Sequence, residues 1–81
     1  MKLEVRLFAA ARQLADRPRL EIELPPGATI AALRERLAEQ VQGLALLARH
    51  SSFAIDGAYA TDDHALREGD DVACIPPVSG G

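Results

Sequence analysis

The sequence predicts a single α+β domain on three observations. Two early segments alternate polar and apolar residues at the strand period, one long stretch repeats apolar residues at the helix period, and the last third breaks into short strand-like runs separated by turn residues. Residues 2–8 (KLEVRLF) set Leu3, Val5 and Leu7 against Lys2, Glu4 and Arg6, as in a strand with one buried face. Residues 9–14 (AAARQL) are good helix formers and Pro18 stops them early, so a short helix is expected. Residues 19–24 (RLEIEL) alternate again, with Leu20, Ile22 and Leu24 on one side.

Pro25-Pro26-Gly27 punctuates the chain, and the Thr29 hydroxyl is placed to cap a helix. Ile30, Leu33, Leu37 and Val41 recur at spacings of three and four with Ala38 beside them, while Arg34, Glu35, Arg36 and Glu39 fall elsewhere on the wheel. Gly43 is the expected stop. Residues 44–49 (LALLAR) are too few for periodicity to choose between a helical turn and a packed loop. Residues 53–55 and 58–60 read as a hairpin around Asp56-Gly57, which tolerates the positive φ of tight turns. Residues 62–71 are polar, with Leu66 as anchor and Glu68-Gly69-Asp70 as a turn. The last strand spans residues 71–75, Val72 and Cys74 facing one way, Ala73 and Ile75 the other. These elements divide the chain into a folded unit over residues 1–75 and a tail over residues 76–81.

Composition narrows the function. With only Phe8, Phe53 and Tyr59 as aromatics the core must be aliphatic, and 81 residues leave little room for an active-site cavity. A net charge of −3 opposes binding to a phosphate backbone, so nucleic acid is not an expected partner. The lone Cys74 allows no internal disulfide and favours a reducing compartment. No signal-peptide pattern opens the chain and no apolar run is long enough to span a bilayer; the expected location is the cytoplasm, with no membrane partner.

No nucleophile with a positioned base is visible, nor any phosphate-cradling glycine loop. Cys74, in mid-strand, reads as a small buried or interface hydrophobe rather than a sulfur-handling thiol. His50 and His64 match no metal-ligand spacing, even with Asp62 and Asp63 beside the latter, and no metal or bound cofactor is expected. Glu68, Asp70 and Asp71 form either a solvated turn or an acidic approach that orients the last strand on basic partners. Alternation places Phe8 and Ile75 on the sheet face opposite the long helix, where an apolar patch would be a partner interface.

The chemistry-bearing element is the end of the chain. Pro76-Pro77 stops the last strand, because proline donates no ladder hydrogen bond, and stiffens the base of the tail. Gly80 and Gly81 lack a Cβ and can thread a narrow channel. A tail with such a stem and tip is expected to project, so that its terminal carboxylate reaches another protein's site, which a side chain fixed on the domain cannot do.

The order β, short helix, β, long helix, short strands resembles the β-grasp fold of ubiquitin, a mixed sheet packed on one long helix with a projecting tail. The segments FAAARQL (8–14), LPPGAT (24–29) and LREGDDVACIPPVSGG (66–81) are together similar to the MoaD family, the small subunits of molybdopterin synthase. Cys74 departs from the bulky apolar residue that relatives usually carry there. The resemblance implies a non-catalytic sulfur carrier. A ubiquitin-activating-like adenylyltransferase consumes ATP to adenylate Gly81, a sulfur-donor enzyme converts it to a thiocarboxylate, and the large synthase subunit transfers the sulfur to cyclic pyranopterin monophosphate for the molybdenum cofactor. It further implies a heterotetramer of two small and two large subunits, with Gly81 bearing the sulfur. Gly80, Ser79, Val78, Pro77 and Pro76 would form the inserted tail, and Ile75 and Phe8 would contribute to partner binding. Alternatives are a carrier for thiamine, thiolated tRNA or cysteine synthesis, a protein modifier forming isopeptide bonds through Gly81, and a β-grasp binding module with an inert tail.

Overall fold

The computed structural model describes residues 1–77. The elements are β1 (Lys2–Leu7), α1 (Ala9–Ala15), β2 (Arg19–Glu23), α2 (Ile30–Gln40), α3 (Ala45–His50), β3 (Ser52–Ile55), β4 (Ala58–Ala60) and β5 (Asp71–Ile75). The sheet order is β2-β1-β5-β3-β4, with β1 and β5 parallel and every other neighbouring pair antiparallel. This mixed sheet with helices against one face is the α+β, β-grasp architecture expected. Among the described residues no helix is long and apolar enough to cross a membrane.

The predicted strand faces are the observed ones. Leu3, Val5 and Leu7 of β1, Leu20 and Ile22 of β2, and Val72 and Cys74 of β5 all enter one core cluster with Ile30, Leu33 and Leu37 of α2. Phe53 is the only aromatic within it, while Phe8 and Tyr59 are exposed. The hairpin turns where expected, on Asp56 (φ 51) and Gly57 (φ 86), the left-handed pair that a two-residue turn between twisted strands demands.

α2 starts as predicted: the Thr29 hydroxyl accepts from the Ala32 amide at 3.4 Å. The polar loop supplies further acceptors, the carbonyls of His64 and Asp62 taking the Ile30 and Ala31 amides, and buried Leu66 anchors that loop by donating to Ala28. Because the hydroxyl contact is long and two neighbouring amides are held independently, Thr29→Ala is expected to lower stability by about 0.5–1 kcal/mol, the weak end for a cap. Urea unfolding would measure it, with Thr29→Asp close to the parent chain.

One boundary differs from expectation, and one open segment takes a definite form. α2 ends at Gln40 rather than running to Gly43, because Val41 swings to an extended conformation (φ −117, ψ 108) and packs partly buried against the core. Gly43 (φ 89) instead serves the turn into α3. The segment left open at residues 44–49 is a helix, with Leu44 and Ala48, one turn apart, fully buried.

That helix owes its C-terminal end to a residue on α2. One terminal nitrogen of Arg34, Nη1, donates to the carbonyls of Ser51 at 2.6 Å and Ala48 at 2.7 Å, with a weaker shared contact to Arg49 at 3.2 Å. The other, Nη2, pairs with Asp62 at 2.7 Å, and the guanidinium lies 4.9 Å from the centre of the Phe53 ring. The last carbonyls of a helix have no partners within it, so a cation planted there satisfies them and complements the helix dipole.

Candidate functional site at the end of β5

β5 is the central strand, so the chain leaves the sheet from its middle. β1 runs parallel to β5 (Leu7 opposite Cys74) and β3 antiparallel (Ser52 opposite Ile75), which gathers the end of β1, the end of β5 and the start of β3 at one margin of the sheet. Pro76 is buried and Pro77 exposed, continuing the exit path after the ladder has stopped. Val78, Ser79, Gly80 and Gly81, the expected tail tip, lie outside the described residues.

The other two sequence-predicted partner residues come together here. Phe8, one step beyond the Leu7–Cys74 pair, and Ile75 line the same groove of about 360 Å³ on the sheet face opposite the helices. Cross-strand register builds the groove: Tyr59, Ala54, Ala73 and Arg6 form one row across β4, β3, β5 and β1. The two alanines make a low floor between taller walls. Phe8 is 42% and Tyr59 74% exposed, so aromatic surface borders the groove at two points.

Sequence reasoning missed the contribution of Arg6. Its guanidinium bonds Asp71 at 3.0 Å and lies 5.7 Å from the centre of the Phe8 ring. Arg6 was visible as an outward residue of its strand, but only the register brings it to one row with Tyr59. The acidic approach to β5 is largely engaged within the molecule: Asp71 with Arg6, a Glu68 carboxylate oxygen with the Lys2 amide at 3.2 Å, and Asp70 with the Arg67 amide at 2.8 Å. This is a self-satisfied turn rather than a free acidic patch. Asp62, considered beside His64, is spoken for by Arg34.

Cys74 is fully buried, and burial pushes its thiol above the ordinary value of 9.0, outweighing the opposing influence of Ser51 and Arg34. A neutral, enclosed thiol is a poor nucleophile. Cys74 is therefore expected to resist thiol reagents in the folded protein and to react fully in denaturant, a contrast that a colorimetric thiol assay reads directly. Above about pH 9 the unfolded thiol ionises while the folded one keeps its proton, so this group disfavours the folded state as pH rises.

Comparison with known proteins gives a consistent result. The ThiS family model matches residues 5–81. The molybdopterin synthase sulfur carrier subunit of Arabidopsis thaliana is 32% identical over 81 residues, covering all of this chain and 84% of the relative. A Pyrococcus furiosus structure assigned as molybdopterin converting factor subunit 1 superposes with a TM-score of 0.83 at 33% identity, over 95% of this chain and 98% of the other. The crystal structure of SAMP1 from Haloferax volcanii also reaches 0.83, at 26% identity with complete coverage of both chains.

Proposed function

The chain belongs to the ThiS family, and on that premise we propose that it is the sulfur-carrier subunit of a molybdopterin synthase, with the Gly81 carboxylate as the carried group. The observation that carries the reading is that the family match runs through the last strand and the proline stem to residue 81. A carboxylate is a weak electrophile. An adenylating enzyme of the ubiquitin-activating type would join it to AMP from ATP, releasing pyrophosphate. A sulfur donor would then displace AMP to leave a thiocarboxylate. In the large subunit the sulfur would pass to a pyranopterin carbon, with the Gly81 carbon–sulfur bond broken and oxygen from water restoring the carboxylate for another round.

The domain's own contribution is presentation. The groove bordered by Phe8, Arg6, Tyr59 and Ile75 lies beside the exit of the stem, so a partner seated on it has the tail within reach. Proline at positions 76 and 77 limits the conformations lost when the tail is inserted. The protein bears no catalytic group of its own in this reading; cytoplasmic location and assembly as two small and two large subunits belong to the same proposal.

The test is intact-mass measurement after incubation with the adenylating enzyme, ATP and a sulfur source. The expected result is a replacement of one oxygen by sulfur at Gly81; an unchanged mass with a competent enzyme overturns the reading. SAMP1 is named a small archaeal modifier protein, and the similarity to it makes the modifier alternative specific; a ladder of isopeptide conjugates without thiocarboxylate would favour it.

A further inference from the structure

A second apolar groove, sharing no lining residue with the first, lies against the base of the tail. Leu14 of α1, Leu46, Leu47 and His50 of α3, and Pro77 itself enclose about 390 Å³. Leu46 is 70% and Leu14 51% exposed, an unusual amount of leucine surface for so small a domain. Leu46, Arg49 and His50 stand at i, i+3 and i+4 and so share one helical face.

Lys2, Arg6, Arg19, Arg34 and Arg36 each have a carboxylate within 4 Å. Among the described residues Arg12, Arg17, Arg49 and Arg67 have no carboxylate within 4 Å, and of these Arg49, itself exposed, shares a helical face with exposed Leu46. In a chain with more acidic than basic residues, an unpaired cation next to exposed leucine marks a surface whose complement is apolar at its centre and acidic at its edge.

We infer that the α1–α3 groove is a second docking surface for the large synthase subunit, which inserts an apolar side chain between Leu14 and Leu46 and sets a carboxylate against Arg49. The inference rests on the sulfur-carrier reading. The groove is continuous with the base of the tail at Pro77. Whatever takes in the chain beyond Pro77 stands at the mouth of this groove, just as it stands beside Ile75 on the sheet face. Gripping the stem from two sides restrains its direction, which one contact leaves free to swing. A fixed direction is what delivery of a terminal atom into a partner's site requires.

The experiment is calorimetric titration of the purified large subunit with the full chain and its Leu46→Glu and Arg49→Glu variants, alongside thermal unfolding. Both residues are exposed, so the thermal midpoint is expected to match the parent for Leu46→Glu and to fall by only a few degrees for Arg49→Glu, whose carboxylate meets the negative end of α3. Removing one anchored leucine or reversing one paired charge is expected to weaken binding about tenfold or more, and the Arg49→Glu loss is expected to shrink as salt rises. Parent-like affinity for both variants overturns the second surface and leaves the carrier reading intact. Failure of the unsubstituted chain to bind the large subunit overturns both. Dimerisation of the free chain that Leu46→Glu abolishes, with affinity for the large subunit unchanged, assigns the groove to a second copy and overturns the inference.

Discussion

Deletion of Gly80-Gly81 is expected to abolish thiocarboxylate formation and all molybdopterin synthesis while leaving thermal unfolding unchanged. The two halves of that result have separate causes. Every residue of the buried core cluster lies between Leu3 and Cys74, so removing the last two glycines takes nothing from it. On the proposed carrier reading the chemistry, in contrast, depends on the terminal carboxylate of Gly81, and a shortened chain would end two residues short of the adenylating site. Gly81→Ala is the finer probe. It keeps the carboxylate and adds a methyl where a narrow channel is expected, and a displacement of about 1 Å at a reacting centre can lower a rate about 10²-fold. Intact mass after timed loading separates the three chains: parent fully converted, alanine variant slow, deletion unchanged. Loading of the deletion variant at the parental rate would refute the role of Gly81.

Arg34→Ala is expected to be the most damaging single substitution outside the apolar core, at about 2–4 kcal/mol. Arg34 has only 16% of its side chain exposed, and its removal leaves the Ser51 carbonyl without its donor, the Ala48 carbonyl with only the long Ser51 amide contact at 3.4 Å, and Asp62 without its cation. Losing a charged donor to a partly buried carbonyl costs more than a neutral bond, because the acceptor then lies desolvated and unmet. Arg34→Lys is expected to recover only part, since an ammonium cannot span the carbonyls at the end of α3, reach Asp62 and lie flat against Phe53 all at once. Urea unfolding of the two variants gives the ranking parent, lysine, alanine; equal stability of all three would refute the latch. Because the latch ends α3, the same variants should loosen the helix that carries Leu46.

The strands and the long helix were legible because each is written in local terms. Alternation is a property of consecutive residues, and so are the Thr29 cap, the Asp56-Gly57 turn and the proline stop. Arg34 was not legible, and the reason is geometric. On a helical wheel it follows Ile30 by one turn and precedes Leu37 by three residues, so it borders the apolar stripe, where a charged side chain reads as a solvated flank. The neighbour that covers it, α3, is a segment whose own helicity six residues could not establish. Arg6 was hidden similarly: as an outward strand residue it looks like ordinary surface, and only the parallel register of β1 with β5 sets it opposite Ala73 and beside the Asp71 carboxylate. Phe8 and Ile75, in contrast, were predictable as residues of one face, since alternation reports the face; their common margin follows from the parallel pairing of β1 with β5.

The position of β5 has a mechanical consequence. Each working cycle of a carrier ends with its tail being withdrawn from a partner, and the force of withdrawal arrives at Ile75. A strand on the outside of the sheet would be peeled away one hydrogen bond at a time. β5 is held by ladders on both flanks, to β1 and to β3, so a pull along its axis loads many bonds at once in shear. A tail that continues a strand paired on both flanks is thus anchored more firmly than one that continues an edge strand.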